Sequence, residues 1–372
     1  MKHLLKRISL SAVLALIAIS AQGAQWQQGM AEGTVPIKSA GCVAFGPDGI
    51  LFVADSKSAA IHAIATGDVT SQELPQPIRV ASLDRKLAAL VGVTSEEILI
   101  QDMAVNPLSK NIYFSLSRGR GPDAVPVIAR VHSSGKAELL DLRQVQHSTA
   151  TLPDAPADAE VGEGRRRGNP RMESITDIAF LEDRVLVAGL ANEEFASTLR
   201  GIPFPFREVG KGTKVEIYHG AHGRFETRSP VRTFVPFQIG GEPHLLAAYT
   251  CTPLVQFPIQ SIQPGAQIVG KTVAELGNRN RPLDMVVYNK GEHTYLLMAN
   301  SSRGIMKIPA NDIASASSIE SAVRGGATEG LDYETIEQWQ GVDQLDLLDE
   351  RHAILLVRAD NGPLHLESRP LP

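Results

Sequence analysis

The sequence predicts an all-β chain, a six-bladed β-propeller in which an N-terminal strand closes the last blade. Three observations carry this. Short apolar and β-branched runs bounded by turn residues recur along the chain. They return every 55–60 residues or so, the length of one supersecondary unit with loop insertions. Helical patterns long enough to alternate with strands are missing, which argues against a parallel α/β sheet.

The chain opens on a segment to set aside. Lys2, Lys6 and Arg7 precede the apolar run Leu10 to Ile19, and Ala21 and Gly23 are small residues at the −3 and −1 positions of a cleavage before Ala24. Residues 1–23 read as a signal peptide, leaving 24–372 as one propeller domain, periplasmic or secreted. Removing three positive charges takes the formal net charge from −5 to −8. An acidic chain is a poor nucleic-acid partner. The basic run Arg165-Arg166-Arg167 lies in a polar loop and reads as solvated. No later stretch has the roughly 18 apolar residues of a membrane span. A monomer is expected.

The first blade is the clearest. Cys42 to Phe45 and Ile50 to Asp55 are short strands joined by Gly46-Pro47-Asp48-Gly49, residues that reverse a chain cheaply. Its relatives begin near Asp102, Asp177, Phe234, Asp284 and Asp343, at spacings of 60, 75, 57, 50 and 59 residues. The segment 143–171 absorbs the longest spacing and reads as a loop or helical excursion. After Asp343 only 29 residues remain, and 24–41 supply 18 more, together about one blade. The N-terminal segment, with a strand near Thr34–Ile37, is therefore expected to complete the sixth blade and remove the free edges.

The run Cys42-Val43-Ala44-Phe45-Gly46-Pro47-Asp48-Gly49-Ile50-Leu51-Phe52-Val53-Ala54-Asp55 resembles the blade motif of NHL-repeat proteins and of the SMP-30/gluconolactonase/LRE-like superfamily. That resemblance implies a six-bladed propeller. It also implies a divalent metal at one channel mouth, as in the superfamily's lactonases. Asp102 before Met103 and Asp284 before Met285 resemble the acidic ligand position. Cys42 stands where those enzymes carry a Glu ligand, and their Asn ligand has no match here.

In a blade, the start of the inner strand lies beside the end of the second strand. One mouth is thus expected to gather Cys42, Asp102, Asp177, Phe234, Asp284 and Asp343 with Asp55, Arg118, Asn192, Cys251, Asn300, Arg303 and Asp360. Converging carboxylates repel unless a cation or an arginine neutralises them. Asp102, Asp177, Asp284 and Asp343 are the candidate metal ligands, with Ca²⁺ the expected ion. Cys42, Arg118, Asn192, Cys251, Asn300 and Arg303 are the candidate ligand-binding residues. Each Asp also has a plain reading, as a cap on its own strand start.

Cys42 and Cys251 are expected to face each other across the channel, as a disulfide, two free thiols, or a soft-metal or reactive-thiol site. His219 and His222 are close enough to share a ligand but sit at an outer turn. Phe204 and Phe206 belong to a loop that either covers the mouth or packs on a blade face. Nucleophile-elbow, phosphate-loop and HExxH signatures are missing. The expected function is binding of a small ligand, ion or protein partner at one mouth. The alternative is a metal-dependent hydrolase of lactonase type, in which the metal polarises a carbonyl or activates water.

Overall fold

The computed structural model describes residues 25–372, apart from 72–73, 75–76, 165–166, 252 and 361. The segment expected to be a signal peptide lies outside the described residues, as do Arg165 and Arg166. No helix among the described residues is long and apolar enough to cross a membrane.

Six antiparallel sheets surround one axis. Their inner strands are Val43–Phe45, Ile98–Val105, Asp177–Leu181, Thr233–Ile239, Pro282–Lys290 and Val342–Leu347. The first turn is built as its residues suggest, with Asp48 at φ 53° and Gly49 at φ 70°. A side chain at Gly49 would also meet the Asp68 carbonyl at 2.9 Å. The second strand behind it, Ile50–Asp55, is buried along its whole length.

The blades do not follow the chain around the ring. Inner-strand neighbours give the order first, third, fourth, fifth, sixth, second. The apolar clusters agree. Phe52, Phe180 and Phe204 pack between the first and third blades. Tyr113 packs against the first blade, and Phe114 and Leu356 join the second to the sixth. The second blade therefore sits between the sixth and the first.

This order changes which segments complete which blades. The sixth blade is closed by Arg79–Val80, which pairs with Leu364–Pro370 through Leu366 opposite Val80. The closing strand comes from the N-terminal quarter as expected, but not from 24–41. That earlier segment forms Ala31–Gly33, at the outer edge of the first blade. Between it and Ala60–Ala65 lies Val145–Thr151. Part of the segment expected to be a loop is thus a strand. Its sequence, VQHSTAT, is mostly polar because both its faces are only partly covered. The outermost strands of the third and fourth blades, Thr213–His219 and Gln267–Leu276, run parallel to each other and join the two sheets.

Phe204 and Phe206 pack inward, against Phe52, with Trp26 stacked on Phe204 at 6.2 Å. The loop that carries them covers the first–third seam and not the mouth.

Candidate functional site: the channel and its carboxylates

The inner strands enclose a cavity of about 960 Å³ on the axis. Its wall is set by a repeated local device. The second, fifth and sixth inner strands each carry a bulge near their start, at Gln101, Leu283 and Asp343. A bulge turns one residue out and aims the next one in. The inward residues are Asp102, Asp284 and Gln344. In the other blades the matching positions are Cys42, Asp177 and Thr233. All six line the cavity.

Taken around the ring, these six positions read Cys42, Asp177, Thr233, Asp284, Gln344, Asp102, so aspartates alternate with uncharged residues. Each aspartate binds in the same way. Its Oδ1 accepts the amide of the following residue: Met103, Ile178 or Met285, each at 2.8 Å. Its Oδ2 accepts an amide from the next blade. Asp102 takes Val43 at 2.7 Å, Asp177 takes Phe234 at 2.7 Å, and Asp284 takes Leu345 at 3.1 Å. Each acceptor reaches the same way around the ring. Asp346, two residues deeper in the sixth blade, repeats the device, accepting Leu347 and Val105 at 2.7 Å each.

These carboxylates lie deep in the molecule yet are half-buried, because the channel reaches them. Burial raises their pKa values against the pull of the amides. Asp102 is pushed up to about 8, with Asp177 and Asp346 adding to the rise. Asp177 reaches about 7 and Asp346 about 6. Asp284 is raised well above the carboxylate range, by burial first and then by Asp102 and Asp177. Among the described residues no lysine or arginine is ion-paired with any of the four. The Cys42 thiol is raised by burial and by Asp177 and Asp102, which disfavours the reactive thiolate.

One end of the cavity carries charge of both signs. Arg232 donates to Glu173 at 2.7 Å. Arg281 lines the same end from an exposed position, between the charges of Arg232 and Glu173. At the other end lie Phe45, Phe180, Lys110, Asp349 and Glu350.

The expected residues divide accordingly. Cys42, Asp102, Asp177 and Asp284 come together on the wall. Asp343 does not: as the bulged residue it points away and pairs with Arg358 at 2.7 Å, while Asp346 faces the channel. Thr233, and not Phe234, holds the matching fourth-blade position. Among the described residues of the loops after the second strands, Ser56 lines the cavity while the expected ones miss it. Arg118 ends an outer stretch of strand, and Asn192 is exposed, with its amide on the Asp154 carbonyl. Asn300 is buried against Asn280 at 2.9 Å, and Arg303 donates to the Asn278 carbonyl at 3.3 Å. Cys251 is half-buried, with its amide on the Asn280 carbonyl, and both cysteines are free.

Asp55 is buried and accepts Lys38 and Ser39 amides at 2.7 and 2.9 Å, within the turn that leads into the first inner strand. The charged residues at the Arg232 end of the cavity, Glu173, Arg232 and Arg281, all lie shortly before an inner strand begins. Blade topology directs attention to the loops after the second strands, and nothing in the repeat pattern marks these positions.

No family model and no curated protein matches the chain. Among solved structures, a PQQ-bound aldose sugar dehydrogenase from Streptomyces coelicolor is similar at 11% identity and a TM-score of 0.33, over 91% of this chain and 98% of that one. The soluble aldose sugar dehydrogenase from Escherichia coli, in its apo form, gives 11% and 0.32 over 92% and 99%. A chain of the mitotic checkpoint complex gives 7% and 0.32 over 92% of each.

Proposed function

We propose that the chain is an exported propeller that binds a small polar ligand in its channel, with a cationic or hydroxyl-bearing end of the ligand seated on the aspartates. The observation that carries this reading is the alternating ring of half-buried carboxylates facing an open cavity, with no lysine or arginine paired to them among the described residues. Each carboxylate oxygen already accepts one amide and retains a lone pair for a second donor. A donor group reaching that tier would relieve both the desolvation and the mutual repulsion. Arg281, exposed at the cavity end, suits an anionic or carbonyl group at the other end of the same ligand.

Ca²⁺ is the ion to test, since carboxylate oxygens suit a hard cation. No three of the channel carboxylates, however, bring an oxygen each within 4.8 Å of one another. An ion there would rest on one or two of them plus water and ligand oxygens. The lactonase-type alternative depends on such an ion, and the geometry favours the binding reading over it.

Calorimetry with a panel of diamines, polyols and Ca²⁺, on the purified protein and on Asp284→Asn, tests the proposal. At least one probe is expected to bind at one equivalent and to lose about tenfold or more in affinity in the variant, as removal of a charged hydrogen-bond partner requires. Equal affinity in both proteins would place the ligand elsewhere.

A further inference from the structure

Away from the channel, the outer strand Thr213–His219 of the third blade ends in a single turn, Gly220–His222, and returns as Arg224–Glu226. Gly223, at φ 64°, permits the reversal. The turn gathers three side chains whose ligating atoms all lie within 4.8 Å of one another: His219, His222 and Glu226. His219 Nδ1 is 3.0 Å from Glu226 Oε2, and His222 Nδ1 is 2.7 Å from Oε1. The two rings are 3.9 Å apart. Ser229 Oγ donates to Oε2 at 2.6 Å and fixes the carboxylate.

We propose that His219, His222 and Glu226 form a site for a divalent transition metal, with Zn²⁺ the ion the donor set fits best. Two imidazole nitrogens and one carboxylate oxygen suit a borderline-soft ion, and three protein ligands leave a fourth position for water. Donors on one zinc, at about 2.0–2.1 Å each, lie some 3–3.5 Å apart, so the 3.0 and 2.7 Å hydrogen bonds need to open only slightly to admit the ion. The His222 side chain is 44% exposed, which gives the ion a way in, while those of His219 and Glu226, at 2% and 10%, hold it against the fold.

A second observation points the same way. Both histidines now aim Nδ1 at a carboxylate, so each must carry its proton there. That leaves His219 Nε2 buried without a partner. Glu275, on the neighbouring strand Gln267–Leu276, is fully buried; its Oε1 accepts the Gly220 amide, and its Oε2 also lacks a partner. An ion at Nδ1 takes the place of those protons and moves the His219 proton to Nε2, in the field of Glu275. Its two positive charges offset Glu226 and Glu275 together. Glu275 lies beyond hydrogen-bond reach of His219 Nε2 and acts on the site through its charge alone. The ion would pin the hairpin to the seam where the third and fourth blades join.

Zinc titration of the chelator-treated protein by calorimetry and thermal melting tests this. One Zn²⁺ per chain and a rise in Tm are expected. His222→Ala changes an exposed side chain, so the fold is kept. It is expected to weaken zinc by more than the tenfold that loss of an outer-shell partner costs, because a direct ligand is lost, and Glu275→Gln by less than tenfold, because only a charge at a distance is removed. Cobalt in place of zinc should show the visible bands of a four-coordinate site in the parent and lose them in His222→Ala. Asp284→Asn should bind zinc normally, which separates this site from the channel. Zinc binding that is absent, unchanged in His222→Ala, or lost in Asp284→Asn instead would overturn the assignment.

Discussion

A carboxylate that accepts one amide from its own strand and another from the next blade binds two sheets with one side chain. Asp177 does this between the third and fourth blades, and its burial sets a pH dependence. An acid whose folded pKa lies above its unfolded value keeps its proton longer in the native state, so the native state is favoured at low pH. Stability from such a group falls as pH rises from about 4 towards the raised pKa, about 7 for Asp177 and about 8 for Asp102. Asp177→Asn removes one titrating group and one amide bond. The variant should melt below the parent at pH 5, and its Tm should fall less between pH 5 and 8, followed by circular dichroism. Parallel Tm profiles would show that Asp177 is not proton-linked. The sequence made three of these aspartates legible, because each directly precedes an apolar stretch of its inner strand. It hid the fourth, because the sixth inner strand carries both Asp343 and Asp346, and a period-two pattern cannot show that the bulge turns the first of them away.

At the scale of the element, closure rests on a short strand and the helix after it. Arg79–Val80 has too few residues to display any alternation, so nothing in its sequence marks it as the strand that closes the ring. Its place is secured by neighbours. The Ile78 amide donates to Ser368 Oγ at 2.9 Å, and the Ser368 amide to the Ile78 carbonyl at 3.0 Å. The following helix, Leu83–Leu90, buries Leu83 and Leu87 at an i, i+4 spacing, in the core shared by the second and sixth blades. Leu87→Ala should therefore cost about 2–5 kcal/mol in urea denaturation, the range for a fully buried leucine. A cost under about 1 kcal/mol would mean that the helix rides on the surface and does not lock the closure.

For the whole molecule, the transposed second blade makes the ring an interlocked object. The first blade gains its fourth strand, Val145–Thr151, only after the second blade has been traversed, and the sixth gains its last strand from a segment near the chain's beginning. The repeat spacing revealed six units, since that is a property of local pattern. The order of the units depends on which faces fit, such as the aromatic set of Trp26, Phe52, Phe180 and Phe204 between the first and third blades, and no spacing records that. A linear array of repeats can unfold from its ends. A ring whose completing strands are exchanged between distant segments has no free end, so it should lose all its seams together. The two tryptophans report on this from different places. Trp26 sits in the first–third seam and Trp339 is buried in the fifth–sixth seam. With Trp339→Phe leaving only the first reporter and Trp26→Phe only the second, each variant's fluorescence midpoint in urea should coincide with its own circular-dichroism midpoint. Such coincidence between probes marks a single cooperative transition. A fluorescence change that precedes the loss of strand signal in either variant would show that its seam opens alone, and that the exchanged strands do not bind the ring into one unit.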